Sequence, residues 1–120
     1  MITREAFIQD REKVFDKVYG ALSGLAIGDS FGDASRKAEN RAAYQVTTDF
    51  NKGASWSTDD TEFALLTAKT LIRCRGKLTT EECVKSWMED VCVQDEYKRG
   101  GASEIEAANN LRKGLLPPLT

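Results

Sequence analysis

Four polar residues, Thr58 to Thr61 (TDDT), directly precede an apolar stretch with helical spacing. The Thr58 hydroxyl and the adjacent carboxylates of Asp59 and Asp60 are hard oxygen ligands of the kind that suits Mg²⁺, Mn²⁺ or Ca²⁺. The same residue types are also preferred as helix N-caps, and Asp59 with Glu62 resembles a capping box. Spacing alone leaves both interpretations open.

The chain contains no histidine, which removes the commonest general base and metal ligand. Any chemistry must therefore depend on carboxylates, hydroxyls and bound metal ions. The three cysteines, Cys74, Cys83 and Cys92, are evenly spaced and suit neither a disulfide framework nor the close pairs of a zinc site. We expect reduced thiols on helices.

The composition is ordinary for a soluble globular domain, with 41% hydrophobic and 30% charged residues in a chain of 120. The formal net charge is -2, and the 17 basic residues form no stripe that could follow a phosphate backbone. The N-terminal run MITREAFIQDREKVF is too charged for a secretory signal, and the run GALSGLAIG is far shorter than the roughly 20 residues of a membrane span. We therefore expect a cytoplasmic protein that binds neither nucleic acid nor membrane.

Apolar periodicity predicts an all-α fold. The predicted helices lie near residues 10–28, 61–74, 80–95 and 103–113. Thr79 with Glu82 and Ser103 with Glu106 are expected to be capping boxes, and Gly114 is expected to cap the end of the last helix.

Three glycines recur every four residues along the first predicted helix, at Gly20, Gly24 and Gly28. A glycine inside a helix costs roughly 1 kcal/mol relative to alanine. Close approach of another helix, or of a ligand, to this bare stripe is the expected compensation. Residues 28 to 55 then show little periodicity and are expected to form a long connection.

Two stretches together resemble the N-terminal part of the ADP-ribosylglycohydrolase family: GALSGLAIGDSFG (Gly20–Gly32) and WSTDDTEFALLTAKTLI (Trp56–Ile72). That family shows a glycine-spaced first helix that ends in a Gly-Asp-x-x-Gly turn, and a later helix that opens with Thr-Asp-Asp-Thr. The later stretch RGGASEIEAANNLRKGLLPP is similar to the family's approach to its second half, so the resemblance spans roughly residues 14–116.

The resemblance implies an all-α fold with two metal ions, Mg²⁺ or Mn²⁺, in a cleft. It also implies hydrolysis of the N- or O-glycosidic bond that joins ADP-ribose to a protein side chain or a small molecule. Thr58, Asp59 and Asp60 match the family's first metal-ligand motif. The metals would orient the ribose and activate water for attack on the anomeric carbon, and Asp60 could accept the proton of that water.

Two further positions carry weaker signals. Asp95 lies past the third predicted helix, where some members of the family place another acid, although a solvated helix end is the commoner explanation. Gly100 and Gly101 precede a predicted helix start, and their amides could meet the diphosphate of a substrate. A plain loop explains this glycine pair equally well.

The chain departs from the family pattern in two respects. The family's second metal motif, a pair of aspartates and a threonine, has no counterpart before Thr120. Several hydrolases of the family carry a glutamate a few residues after the Gly-Asp-x-x-Gly turn, where this chain has Arg36. We therefore expect residues 1–120 to be the N-terminal part of a single all-α domain, completed by a second chain or a missing half.

Three hypotheses remain open. The chain is part of a metal-dependent glycohydrolase for ADP-ribosylated proteins or related glycosides. Alternatively, it is a non-catalytic binding or structural protein of the same family, as the family's lens crystallins suggest. In the third hypothesis it is a small helical interaction domain whose acids only cap a helix.

Overall fold

The computed structural model describes residues 3–35, 57–93 and 100–117, and every regular element within these ranges is an α-helix. The prediction of an all-α fold is confirmed. The helices are α1 (Arg4–Gln9), α2 (Arg11–Ser35), α3 (Asp59–Arg73), α4 (Thr80–Asp90) and α5 (Ala102–Arg112). None of these described helices is both long and apolar enough to cross a membrane. The chain divides into two compact units, Met1–Ser57 and Thr58–Thr120.

The first unit begins with α1, a short helix that the sequence did not predict. The Thr3 hydroxyl caps it by accepting the Ala6 N–H at 3.2 Å. Asp10 separates α1 from α2, and its carboxylate accepts the Lys13 N–H at 3.2 Å. This hydrogen bond is the main reason why the pKa of Asp10 lies below its ordinary value. Asp10 is therefore a helix-capping residue, as its type favours.

Helix α2 is longer than the sequence predicted. A helix end near Ile27 and a turn at Gly28–Gly32 were expected, and both expectations are wrong because α2 continues to Ser35. No proline lies between residues 11 and 35, and glycine weakens a helix without ending it. The Ser35 hydroxyl donates to the Gly32 carbonyl at 2.9 Å in the last turn.

The glycine stripe of α2 borders open space. Among the described residues, no atom lies within 4 Å of the position that a Cβ would occupy at Gly20, Gly24 or Gly28. The close helix packing that the sequence predicted at this stripe is absent from the described parts of the chain.

The core of the second unit lies where α3, α4 and α5 meet. Val91 and Ala108 are its buried hydrophobic centre. Five partly buried residues pack around them: Phe63, Leu66, Trp87, Cys92 and Ile105. The rings of Phe63 and Trp87 stack with centroids 4.9 Å apart, which joins α3 to α4. Met88 of α4 and Leu71 of α3 remain about 40% exposed.

Polar side chains also join α3 to α4. Thr70 and Ser86 are each 2% exposed, and their hydroxyl oxygens lie 2.5 Å apart. Thr70 donates to the Leu66 carbonyl at 2.7 Å, so its own proton is engaged and Ser86 donates to Thr70. Arg73 reaches across to Glu82 and Glu89, with N···O distances of 3.0 and 2.9 Å.

Helix α4 ends earlier than predicted, at Asp90 instead of near residue 95. The N–H groups of Val91 and Cys92 both donate to the Trp87 carbonyl, at 2.9 and 2.8 Å, which closes the last turn. Arg112 of α5 then holds the Cys92 carbonyl with its Nε at 2.9 Å. The chain direction is therefore fixed just after the helix end.

The helix starts and ends follow the predicted caps in part. Thr79 is the N-cap of α4 and accepts the Glu82 N–H at 3.3 Å, as predicted. Ser103 was predicted to start α5 and lies inside it, because Gly101 is the N-cap. Gly114 has a φ of +79° just after α5, as a helix-ending glycine should.

The three cysteines are free thiols and half-buried, in agreement with the prediction of reduced cysteines. Cys83 lies on α4, whereas Cys74 follows α3 and Cys92 follows α4. Burial raises the pKa of Cys92 above the ordinary thiol value, and the nearby Arg112 opposes that effect.

Candidate functional site

The Thr58–Asp59–Asp60 motif forms the N-terminal end of α3. Thr58 is the N-cap residue with extended backbone, and its carbonyl accepts the Glu62 N–H at 3.2 Å. Its side chain makes no capping hydrogen bond, unlike the hydroxyls of Thr3 and Thr79. Thr58 therefore occupies the N-cap position, as its residue type favours, but without a side-chain capping hydrogen bond.

The alternative of a capping box at Asp59 is also wrong. Asp59 and Asp60 are the first two residues within α3, so neither occupies the N-cap position. Consecutive residues on a helix point about 100° apart around its axis. The two carboxylates thus face different sides of the helix end, and Asp59 is half-buried whereas Asp60 is exposed.

The helix itself stabilises the acids at this end. Three of them lie in the first turn of α3: Asp59, Asp60 and Glu62. The unpaired N–H groups of a helix N-terminus carry a partial positive charge, which favours each exposed carboxylate by about 0.3–1 kcal/mol. The motif is therefore stable without a bound cation.

The donor types fit a hard divalent cation, but the described residues supply only part of a coordination shell. Mg²⁺ and Ca²⁺ take six or more oxygen ligands. Residues 3–35, 57–93 and 100–117 contain no group of three His, Cys, Asp or Glu side chains arranged to hold a metal ion. The carboxylates of Asp59 and Asp60 with the Thr58 hydroxyl amount to a partial site, which water, substrate or other residues would have to complete.

A cleft of about 300 Å³ begins one turn further along α3. Its lining residues are Glu62, Phe63, Leu65, Leu66, Lys69, Asp90 and Val91. Lys69 and Asp90 form an ion pair across it, with Nζ and Oδ2 2.6 Å apart. The floor is apolar and the rim is charged, which is the usual character of a small-molecule site. Sequence reasoning did not identify this cleft, because Asp90 comes from a different helix.

The predicted diphosphate site at Gly100 and Gly101 is faced by an acid. Gly101 is the N-cap of α5, and Oε2 of Glu104 lies 2.7 Å from the position that a Cβ would take at Gly101. An anion could approach these amides only after the Glu104 carboxylate moved away. The sequence signal for this arrangement is that Glu104 lies three residues after Gly101, where a glutamate side chain can reach back to the helix N-cap.

The remaining predicted positions lie either outside the described residues or in the first unit. Asp95 and Arg36 lie outside the described residues. Asp29, in the Gly-Asp-x-x-Gly motif, lies on α2 in the first unit, whereas Thr58, Asp59 and Asp60 begin the second unit.

The described structure thus defines an all-α protein with a candidate cation-binding motif at a helix N-terminus. The chain belongs to the ADP-ribosylglycohydrolase family, whose model matches residues 10–119. No curated protein and no solved structure matches it. Membership of this family implies substrates of the ADP-ribose type and the use of metal ions.

Proposed function

We propose that this chain is the N-terminal part of a cytoplasmic, metal-dependent hydrolase that cleaves the glycosidic bond of ADP-ribosylated proteins or related N- or O-glycosides. The observation that carries the proposal is the Thr58–Asp59–Asp60 motif at the start of α3, in a chain of the ADP-ribosylglycohydrolase family.

Each residue of the motif has a distinct role in this proposal. Asp59 is half-buried and Asp60 is exposed, so Asp59 is the better-ordered ligand and Asp60 is the more accessible one. Because the two carboxylates diverge, each can contribute to a different ion of a pair. Bound Mg²⁺ or Mn²⁺ would polarise sugar oxygens and make water more nucleophilic. Asp60 is accessible enough to accept the proton of the attacking water, and Asp95 is a second candidate acid.

The second set of metal ligands would come from another chain or segment. The described residues supply too few ligands for two ions. A polypeptide that carries an Asp-x-Asp-Thr-like motif is the partner that this chemistry requires.

The cleft beside the motif is our candidate for the rest of the ADP-ribose-like substrate. Phe63 and Leu66 provide apolar surface for a flat ring, and Lys69 places a cation at the rim. Gly100 and Gly101 remain a candidate for the diphosphate, but Glu104 must first move away from Gly101. The cleft on α3 is therefore the better supported of the two.

The test is a thermal unfolding experiment with and without millimolar Mg²⁺ or Mn²⁺, on the chain alone and with any co-purifying partner. Metal at 100 times its dissociation constant should stabilise the folded protein by about 2.7 kcal/mol. Asp59→Asn with Asp60→Asn should abolish this stabilisation. Without metal, the same double variant should lose only about 0.6–2 kcal/mol, the loss of two carboxylates from a helix N-terminus.

Glu81 provides the matched control, because it is an exposed acid in the first turn of α4. Glu81→Gln removes one carboxylate instead of two, so it should lose about 0.3–1 kcal/mol of helix-dipole stabilisation and keep the full response to metal. If the unfolding temperature of the wild-type protein with its partner does not change on addition of metal, the hydrolase proposal loses its support.

The second candidate function is a non-catalytic binding protein of the same family. Arg36 stands where several hydrolases of the family carry a glutamate, which favours this alternative. Calorimetry with ADP-ribose separates the two functions: binding that is independent of metal, with no hydrolysis of an ADP-ribosylated protein by the completed assembly, would indicate a binding protein.

A further inference from the structure

We draw no further inference here: the strongest candidate, the apolar pocket of about 180 Å³ that Cys83 and Trp87 of α4 form with Leu111 of α5 and with Pro117, carries no proposal because nothing in the part of the chain that the structure describes shows what covers it.

Discussion

Substitution of Gly20 by alanine tests whether anything approaches the glycine stripe of α2. No atom of the residues that the structure describes lies within 4 Å of the Cβ position there, and the residue is helical, so alanine fits without strain. Alanine is favoured over glycine within a helix by roughly 0.5–1 kcal/mol. We therefore expect Gly20→Ala to stabilise the first unit by this amount.

Gly114 provides the matched control, because its Cβ position is equally unobstructed but its φ is +79°. An alanine there must adopt the left-handed conformation, which costs roughly 1–2 kcal/mol. Gly114→Ala should thus destabilise the second unit, although the atomic change is the same as at Gly20. The pair isolates backbone conformation as the cause.

The assay is urea unfolding followed by circular dichroism, with hydrogen exchange to assign each change to its unit. A higher free energy of unfolding for Gly20→Ala together with a lower one for Gly114→Ala supports the argument. Destabilisation by Gly20→Ala would refute it, and would mean that a helix or ligand approaches the stripe after all, as the sequence predicted.

Three further experiments test local features of the second unit. Thr70→Val should cost about 1–3 kcal/mol because it leaves the buried Ser86 hydroxyl without its acceptor, and adding Ser86→Ala should recover part of that loss in a double-mutant cycle. Arg75→Gly should stabilise the end of α3 by about 0.5–1 kcal/mol in urea unfolding, because Arg75 has a φ of +53°. Burial raises the pKa of Cys92, so alkylation of this thiol should reach half its maximal rate at a higher pH in the folded chain than in the urea-unfolded chain. Because the positive charge of Arg112 lowers the pKa of Cys92, Arg112→Ala should shift that pH further upward.

Helical periodicity was sufficient to predict the three helices of the second unit, because each buries one side against a shared core. Ala108 and Val91 are buried as the spacing required. The ends were less predictable, since they depend on contacts between helices. The early end of α4 at Asp90 relies on the Trp87 carbonyl and on Arg112, which is distant in sequence.

The end of the first long helix was mispredicted because apolar periodicity fades after residue 28 and the family resemblance implied a turn at Gly28–Gly32. Glycine ends a helix when the backbone adopts a positive φ, as at Gly76 and Gly114, and only weakens a helix elsewhere. The choice between these two states depends on the residues that come after the glycine. No proline lies between Gly28 and Ser35, so the helix continues.

At the candidate site, residue types indicate hard oxygen ligands, which stays a prediction, and they contain no information on the geometry. The sequence identified Thr58, Asp59 and Asp60 together, and the structure adds that the hydroxyl makes no capping hydrogen bond. The neighbouring cleft required the Lys69 to Asp90 ion pair between two helices, which no local pattern contains.

The position of the two aspartates also bears on how the proposed metal ions would bind. The N-terminus of α3 already stabilises both carboxylates, so the metal-free helix is not strained by their presence. A cation must compete with that favourable interaction, and it gains only a partial ligand set from the described residues of this chain. Both effects lower the affinity of the isolated chain for metal. The strong binding that hydrolysis requires should therefore appear only when the partner supplies its ligands, and metal binding and assembly should stabilise each other.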